Sequence, residues 1–209
     1  FGMTFTAKRL FDLCDRSITA FKPQTWSEET FQYIDVTAID VSTKTITQPK
    51  KVAISNAPSR AQVVVKGGDI LISNVRPNLN AVARIPGDLD GAVCSSAFTV
   101  LRCKDELLPD YLFCKVQSPR FIERLTLLAH GAHYPAVTDR QVLDTEIELP
   151  PMNVQVATAE RVLANLRSCR AALAACTAQL ELSMHFSEKT LKTFFTEVPI
   201  SADLKLSDA

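Results

Sequence analysis

The last third of the chain has the hydrophobic pattern of one long helix. Pro150 and Pro151 end the preceding segment, and no Gly or Pro follows between Met152 and Val198. Ala, Leu, Arg, Glu and Gln are frequent there, which favours an α-helix. Small or apolar residues recur with the a and d spacing of a heptad: Ala159, Val162, Leu166, Cys169, Leu173, Cys176, Leu180 and Ser183. The pattern predicts a helical rod over residues 150–186, on the order of 50 Å long at about 1.5 Å per residue.

A rod of that length cannot bury its apolar seam against itself. It either packs on its own globular domain or pairs with a second helix. Its length, its position near the end of the sequence and its small a and d residues favour pairing. The partner is either another copy of this chain or a different protein. Within residues 187–209, segment 187–195 is expected either to continue the rod or to form a separate short helix, and the polar tail from Pro199 is expected to be loose.

The first 149 residues have strand-like patterns first and helical patterns later. Short β-branched and apolar runs between turn residues predict strands at 31–40, 62–66, 69–75, 81–85, 96–101 and 145–149. Helical spacing is expected at 5–14, 110–116 and 119–128, with prolines near the start of the last two. The polar segment 41–59 is expected to be a long loop or an irregular hairpin, and segment 129–136 a loop. This segregation predicts an α+β, β-rich domain over residues 1–149, followed by the long helix.

Composition places the chain among ordinary globular proteins. No apolar run approaches the 18 residues of a membrane span, and the start lacks the pattern of a signal peptide. The six cysteines form no CxxC pair and no disulfide framework: Cys14, Cys94, Cys103, Cys114, Cys169 and Cys176. They are expected to be small buried hydrophobic residues in a reducing cytoplasm.

The distribution of charge along the sequence is more informative than the net charge. The net charge of zero argues against a general polyanion binder. Between Thr43 and Pro86, however, seven cations stand against the single anion Asp69, a local excess of six. Either this is an ordinary solvated face, or it is a surface that faces phosphates.

Catalytic motifs are not recognisable in this sequence. Gly67-Gly68-Asp69 lacks the spacing of a phosphate-binding loop. His130 and His133 form an HxxH pair without flanking Cys or carboxylates, so zinc binding is not favoured. The Asn-Pro-Pro-aromatic motif of amino-methyltransferases, which grips a flipped base, is missing. We therefore predict a non-catalytic protein that binds no cofactor of its own.

Six segments in a fixed order resemble the specificity subunits of type I restriction-modification systems. Each segment alone is a weak signal, whereas the order of all six is specific, and together they cover roughly residues 8–183. They are Phe31-Gln-Tyr-Ile-Asp-Val-Thr-Ala-Ile-Asp40, Gly68-Asp-Ile-Leu-Ile-Ser-Asn-Val-Arg-Pro77, Ser95-Ser-Ala-Phe-Thr-Val-Leu-Arg102, Leu108-Pro-Asp-Tyr-Leu112, Gly131-Ala-His-Tyr-Pro-Ala-Val-Thr138 and Glu148-Leu-Pro-Pro-Met152.

The resemblance implies a target-recognition domain that reads one half of a split double-stranded DNA site, followed by a helical coiled-coil spacer. The family usually carries two such units per chain, and this sequence has one. It therefore resembles a half-size subunit that forms a homodimer through the rods, or a fragment of a longer chain. The family often has Glu before the Gln at the helix start, where this sequence has Asn153-Val154-Gln155.

The implied partners are a separate methyltransferase subunit, which would bring S-adenosylmethionine, and in some systems a nuclease subunit. On the rod, Arg161, Arg167 and Arg170 either meet the methyltransferase or are solvated surface. The residues expected to pair the helices are Val162, Leu166, Cys169, Leu173, Cys176 and Leu180.

Candidate DNA contacts divide into base-reading and phosphate-binding residues. In the major groove, an arginine side chain can form two hydrogen bonds with guanine, and an asparagine side chain can form two with adenine. The candidates for base contacts are therefore Arg76, Asn74, Asn78 and Asn80. The same stretch is equally consistent with a plain polar turn. Phosphate contacts are expected from Lys44, Lys50, Lys51, Arg60 and Lys66. His133 and Tyr134 either contact bases or support the loop, and Trp26 and Tyr33 are assigned to the core.

The rival interpretation comes from a different functional class. A coiled-coil assembly protein, whose globular head binds another protein, would show the same long helix. DNA affinity that falls with salt separates the two, because a protein-binding head need not show it. A stand-alone DNA-binding regulator is a further alternative within the DNA-binding class.

Overall fold

The structure is a computed structural model that describes residues 5–197, with side chains described to residue 192. The strands are β1 (Ala7–Arg9), β2 (Thr30–Ile34), β3 (Ile39–Asp40), β4 (Thr45–Ile46), β5 (Lys50–Ala53), β6 (Ala61–Val64), β7 (Ile70–Ser73), β8 (Val82–Arg84), β9 (Val93–Ser95), β10 (Phe98–Leu101) and β11 (Glu146–Glu148). The α-helices are α1 (Leu10–Leu13), α2 (Pro109–Val116), α3 (Pro119–Leu128), α4 (Asp139–Leu143) and α5 (Met152–Glu197).

The strands form small sheets whose pairing is mostly antiparallel. A four-stranded sheet has the order β5-β2-β9-β6, and a three-stranded sheet has the order β10-β7-β8. β1 pairs with β11, and β3 pairs with β4. Within the described part of the chain, the one parallel pair joins β2 to β9. The predicted α+β class is confirmed, with strands over the first hundred residues and helices after them.

The main core lies between the helices and the three-stranded sheet. α2 and α3 bury Leu112 and Leu125 completely, against Ile70 of β7 and Leu10 of α1. Burying a large aliphatic side chain contributes about 1.5–3 kcal/mol each. α3 begins where the sequence predicts, because Pro119 fits the first turn and the Ser118 hydroxyl accepts from the Phe121 amide.

Several predicted boundaries change in the structure. The expected strand 31–40 ends at Ile34, because the Asp35 carboxylate accepts from the Thr37 amide and starts a 3₁₀ turn. The segment 41–59, expected to be a long loop or an irregular hairpin, contains the short strands β4 and β5. Helix 5–14 is only α1, preceded by the short strand β1. β9 and α4 were not predicted at all, although the Thr138–Gln141 capping box marks the start of α4 in the sequence.

Gln155 fastens the start of α5 to the globular core. Its side chain is 1% exposed, and its Oε1 accepts from the Leu108 amide at 2.8 Å. Its Nε2 donates to the carbonyl oxygens of Glu106 and Pro150, both at 2.9 Å. Both amide hydrogens are therefore used, and each neighbouring backbone group has a defined partner. The buried amide explains why a glutamine is required at this point.

Gln155→Glu is expected to lower the free energy of unfolding by about 2–4 kcal/mol, because a carboxylate would face two carbonyl oxygens without a donor. Chemical denaturation of the chain measures this loss. The matched control is Asn153→Asp, the same amide-to-acid change at an exposed position of the same turn. Its expected effect is near zero or slightly stabilising at a helix N-terminus. Equal stability of the two variants would contradict the anchoring role.

α5 belongs to two compact units. The first unit ends at Leu163 and the second begins at Ala164. Ala159, predicted as part of the pairing seam, is 2% exposed and packs with the domain core instead. The globular unit thus extends beyond residue 149 to Leu163 and includes the first turns of α5. α5 continues without a break past residue 187 to Glu197, as in the alternative that the rod continues, and the expected tail from Pro199 lies outside the described residues.

The cysteines do not share one environment. Cys14 and Cys94 are buried, and burial raises the pKa of each thiol to about 12. Cys103 and Cys114 are half-buried. Cys169 and Cys176, on the predicted helix seam, are exposed in the single chain, so their burial stays a prediction that depends on helix pairing. Tyr33 is buried as predicted, while Trp26 is half-buried with its ring edge-on to Phe21.

Candidate nucleic-acid interface

A turn and a loop meet at one end of the central strands. The turn comprises residues 74–80, directly after β7, and is called the Arg76 turn. The loop comprises residues 129–137, between α3 and α4, and is called the Tyr134 loop. The Arg76 amide donates to the Pro135 carbonyl at 2.7 Å, and the Val137 amide donates to the Asn74 carbonyl at 2.9 Å. Backbone hydrogen bonds therefore hold the two segments together as one surface.

The backbone of the Arg76 turn is strained. Arg76 and Asn80 flank the 3₁₀ turn Pro77–Leu79, and both have left-handed backbone angles, with φ of 49° and 53°. Lys44 shares this conformation with φ of 56°, and its ammonium group donates to the Asn80 carbonyl. Left-handed angles at non-glycine residues cost on the order of 1–3 kcal/mol and persist only where the surroundings enforce them. All three described residues of this kind meet at one turn.

The Arg76 side chain lies over the Tyr134 ring. The guanidinium carbon is 4.9 Å from the ring centroid, the geometry of a cation–π contact. Both side chains are exposed, and Tyr134 presents 70% of its surface to solvent. Among the described residues, no hydrogen bond or ion pair occupies the guanidinium edge. The N–H groups of Arg76 therefore face outward and are available to an acceptor.

A polar network beneath the turn includes Asn74, which is only 9% exposed. Its Nδ2 donates to Asp139 Oδ1 at 2.7 Å, and its Oδ1 accepts from the Thr99 hydroxyl at 2.7 Å. The Asn74 side chain is therefore buried and held by a hydrogen bond at each end of its amide. The structure therefore assigns Asn74 to the support of the turn, correcting its place among the candidate base contacts.

Asn80 also has an internal role. Its Nδ2 donates to the Gln117 carbonyl at 3.2 Å, and its own carbonyl accepts from Lys44. These contacts fasten the turn to the end of α2 and to the 41–44 segment. Asn78 and Leu79, by contrast, are exposed at the tip of the turn. Of the four predicted base-reading residues, Arg76 and Asn78 are the two that face solvent.

Two further cations line a shallow concavity at the same end of the strands. Lys50 and Arg60 border it together with Tyr33 and Ala97, and the Ala97 carbonyl accepts from the Asn74 amide at 2.8 Å. Lys50 Nζ lies 2.6 Å from Asp35 Oδ2, which raises the pKa of Lys50. Burial alone would raise the pKa of Asp35, but hydrogen bonds from Lys50 and Thr37 outweigh it and lower that pKa. Lys50 therefore stays protonated, and the carboxylate of Asp35 offsets its positive charge.

The positive charges of Arg60 and Lys51 are not offset by an ion pair, since neither has an anionic partner among the described side chains. Both are exposed. Lys51 lies on the edge strand β5 opposite Gln32, and Arg60 immediately precedes β6. Arg60 also fixes the local backbone, because its carbonyl accepts from the Ser96 amide at 2.8 Å. An exposed arginine beside the concavity is suited to a phosphate.

Lys66 lies at the other end of the strands. Arg60 precedes β6 and Lys66 follows it, so about 15–20 Å of extended chain separates them. At that end the Gly67 amide donates to Asp90, and Arg84 forms an ion pair with Asp110. The cationic stretch of the sequence is therefore not one surface. The structure divides it between the two ends of the strands and separates Lys66 from Arg76.

The Tyr134 loop does not assemble a metal site from its histidines. His130 and His133 are exposed, and His130 forms a backbone bridge with Ala136. Across the described residues, no three His, Cys, Asp or Glu side chains are grouped as metal ligands. The loop owes its shape to backbone pairing and to Gly131, whose φ is 111°.

The predicted helix seam is largely uncovered in the single chain. Leu173 and Leu180 are 65% and 64% exposed, and Cys169 and Cys176 are exposed. Val162 and Leu166 are half-buried. Further along α5, Met184 and Leu191 are also exposed, at 70% and 55%. Arg161 and Arg167 are exposed and Arg170 is half-buried.

No described helix, α5 included, has the sustained apolar length that crossing a membrane requires.

Sequence reasoning missed the polar residues that organise this surface. Thr99 and Asp139 carry no motif of their own, and they meet Asn74 only through pairing of β7 with β10 and the placement of α4. One signal was present: Thr138 and Gln141 form a capping box, which predicts a helix that starts at Asp139. That helix start brings the Asp139 carboxylate under the turn.

The fold and surface define a class of protein, an α+β recognition domain followed by a long exposed helix. The model of the type I restriction modification DNA specificity domain matches residues 3–181. Because this match covers most of the sequence, the chain belongs to that family. The family supplies the specificity subunits of type I systems and not their catalytic subunits.

Three similar proteins agree with this assignment. The HindI specificity subunit of Haemophilus influenzae is 28% identical over 105 residues, which are 49% of this chain and 23% of that protein. The HsdS subunit of Thermoanaerobacter tengcongensis has a TM-score of 0.72 at 34% identity, over 86% of this chain and 47% of that one. A structure from work on complex assembly and conformational transition of the type I R-M system has a TM-score of 0.74 at 34% identity, covering 90% and 49%. The chain thus spans about half the length of these solved relatives.

Proposed function

We propose that this chain reads one half of a bipartite double-stranded DNA site and directs a separate methyltransferase to it. The methyltransferase would bind S-adenosylmethionine and carry out the transfer, and a nuclease subunit would join the complex where a restriction activity exists. The chain itself would contribute no catalytic group. Family membership favours this function over a protein-binding head.

The observation that carries the proposal is the surface formed by the Arg76 turn and the Tyr134 loop. Arg76, Asn78 and His133 are exposed there, while Asn74 beneath them is held by hydrogen bonds to Asp139 and Thr99. A strained, well-supported turn that presents an open guanidinium is suited to an acceptor-rich target. Arg60 and Lys51 supply nearby charge for the phosphate backbone.

The exposed stripe on α5 supports pairing with a second copy of the chain. Apolar side chains that are about two-thirds exposed in one chain are a typical surface for helix association. A two-fold dimer would present two recognition domains and therefore read an interrupted palindrome. The length of the paired helices would set the gap between the half-sites.

Co-expression of this chain with the methyltransferase encoded beside it, followed by genome-wide mapping of modified bases, tests the proposal. Methylation at an interrupted palindrome is the expected result. An asymmetric split motif would keep the specificity role but would require a different second half. If the two proteins associate and no sequence-dependent methylation appears, the specificity role is wrong.

Arg60→Gln is expected to weaken DNA binding on specific and non-specific duplexes alike, and to reduce the slope of log affinity against log salt by about 0.9 if one phosphate contact is lost. Fluorescence anisotropy titrations from low to moderate salt measure both quantities. Lys66→Gln is the matched control, because it removes one charge at the other end of the strands. An equal slope change in the two variants would contradict the division of the cationic stretch.

A further inference from the structure

The contact between Arg76 and Tyr134 goes beyond a general DNA-binding surface. An exposed arginine side chain normally samples many rotamers and loses that freedom on binding. Here the guanidinium carbon lies 4.9 Å from the Tyr134 ring centroid. The ring occupies one face of the guanidinium plane and leaves the edge, which carries the N–H donors, open.

The backbone that carries Tyr134 is held in place by its own loop. The Arg76 amide donates to the Pro135 carbonyl, next to Tyr134, so the backbones of the two residues are joined. Gly131 lies against the same segment, since a Cβ at position 131 would stand 2.9 Å from the Tyr134 carbonyl oxygen. The Asp139 carboxylate fixes Asn74 on the other side. The Tyr134 ring therefore projects from a fixed backbone and meets Arg76 from there.

We infer that Tyr134 is a positioning residue that presents the Arg76 guanidinium edge to a guanine in the major groove of the half-site. This rests on the proposed function and adds the base read and the residue that orients its reader. Guanine offers two adjacent acceptors, O6 and N7, to a planar fork. Pre-ordering that fork reduces the conformational cost of the contact, so the ring strengthens a contact it does not itself make.

The test uses the chain purified with its methyltransferase and duplexes of its mapped motif in which one guanine at a time is replaced by 7-deazaguanine. This analogue lacks the N7 acceptor and retains normal pairing. In the wild type, one replacement is expected to lower affinity sharply. Arg76→Ala is expected to lose affinity for the normal site by about 5–150-fold and to become insensitive to that replacement.

Tyr134→Leu is expected to reduce the sensitivity at that same guanine, whereas Tyr134→Phe, which keeps the ring face, is expected to preserve it. Phe11→Leu is the matched control, because Phe11 also lies under an arginine, with Arg16 at 4.3 Å from its ring centroid. Phe11→Leu should leave the sensitivity unchanged. Tyr134 is 70% exposed, so its loss is not expected to unfold the domain, and thermal melting checks this.

Two results would overturn the inference. One is a Tyr134→Leu variant with the wild-type sensitivity, and the other is a guanine sensitivity that does not depend on Arg76. Either can occur while sequence-specific binding persists, which leaves the proposed function intact. A complex that does not distinguish its motif from unrelated duplexes would instead overturn the proposed function and the inference together.

Discussion

Leu173→Glu is expected to convert the paired chain into a folded monomer and to abolish methylation by the complex. Leu173 is 65% exposed in the single chain and lies on the predicted seam between Cys169 and Cys176. Each dimer would lose two buried leucines, worth about 1.5–3 kcal/mol each. Its dissociation constant would therefore rise by about 10²–10⁴-fold. Light scattering coupled to size-exclusion chromatography measures the mass directly.

The matched control is Ala174→Glu, which adds the same charge at the next exposed residue, about 100° away around the helix. It is expected to leave the dimer intact. Thiol labelling gives a second measurement, since pairing would shield the exposed Cys169 and Cys176. Their labelling rate should fall as protein concentration rises. A wild-type chain that is monomeric at all concentrations, or a Leu173→Glu dimer, would refute pairing through this seam.

Arg102→Met is expected to lower the free energy of unfolding by about 3–5 kcal/mol, the typical cost of leaving a buried charge without its partner. Asp69 is 2% exposed, and Arg102 binds it with two hydrogen bonds, Nε to Oδ1 at 2.9 Å and Nη2 to Oδ2 at 2.7 Å. Asp69 raises the pKa of Arg102 through the same contacts. Urea denaturation followed by circular dichroism measures the loss.

The double variant Asp69→Asn/Arg102→Met is expected to recover part of that stability, because no buried charge then remains. The reference change is Arg9→Met. Arg9 and Asp12 form an exposed pair, with both side chains about half exposed, and removing such a pair is expected to leave the free energy of unfolding almost unchanged. A loss in Arg102→Met no larger than that of Arg9→Met would show that the buried pair contributes little to folding.

The long helix and the α+β class followed directly from the sequence, because both depend on local patterns. A stretch without Gly or Pro from residue 152 to residue 198 favours a helix wherever its apolar stripe is removed from water. The strands around residues 62–66 and 69–75 and the helices at 110–116 and 119–128 were similarly well marked, and the structure confirms them within a few residues. β9 was missed because three buried residues carry no alternation to detect.

The interface was only partly predictable. From the sequence, four polar residues in turns were candidates for DNA contacts: Arg76, Asn78, His133 and Tyr134. The structure joins the Arg76 turn and the Tyr134 loop, which carry them. It could not show that Asn74 is buried, or that Lys66 lies away from Arg76. Those facts depend on which end of a strand each residue occupies and on pairing between distant strands.

What the sequence by itself determined is the kind of protein. Six ordered segments indicated its family, which the family model confirms, and heptad spacing predicted a long helix with an apolar seam, C-terminal to the domain. What only the tertiary structure decided is which side chains are free to act. A side chain is available for binding when packing leaves it exposed and no neighbour satisfies it, and neither condition is local. Asp139 and Asn74 lie 65 residues apart in the sequence, yet their contact holds the turn from which Arg76 projects.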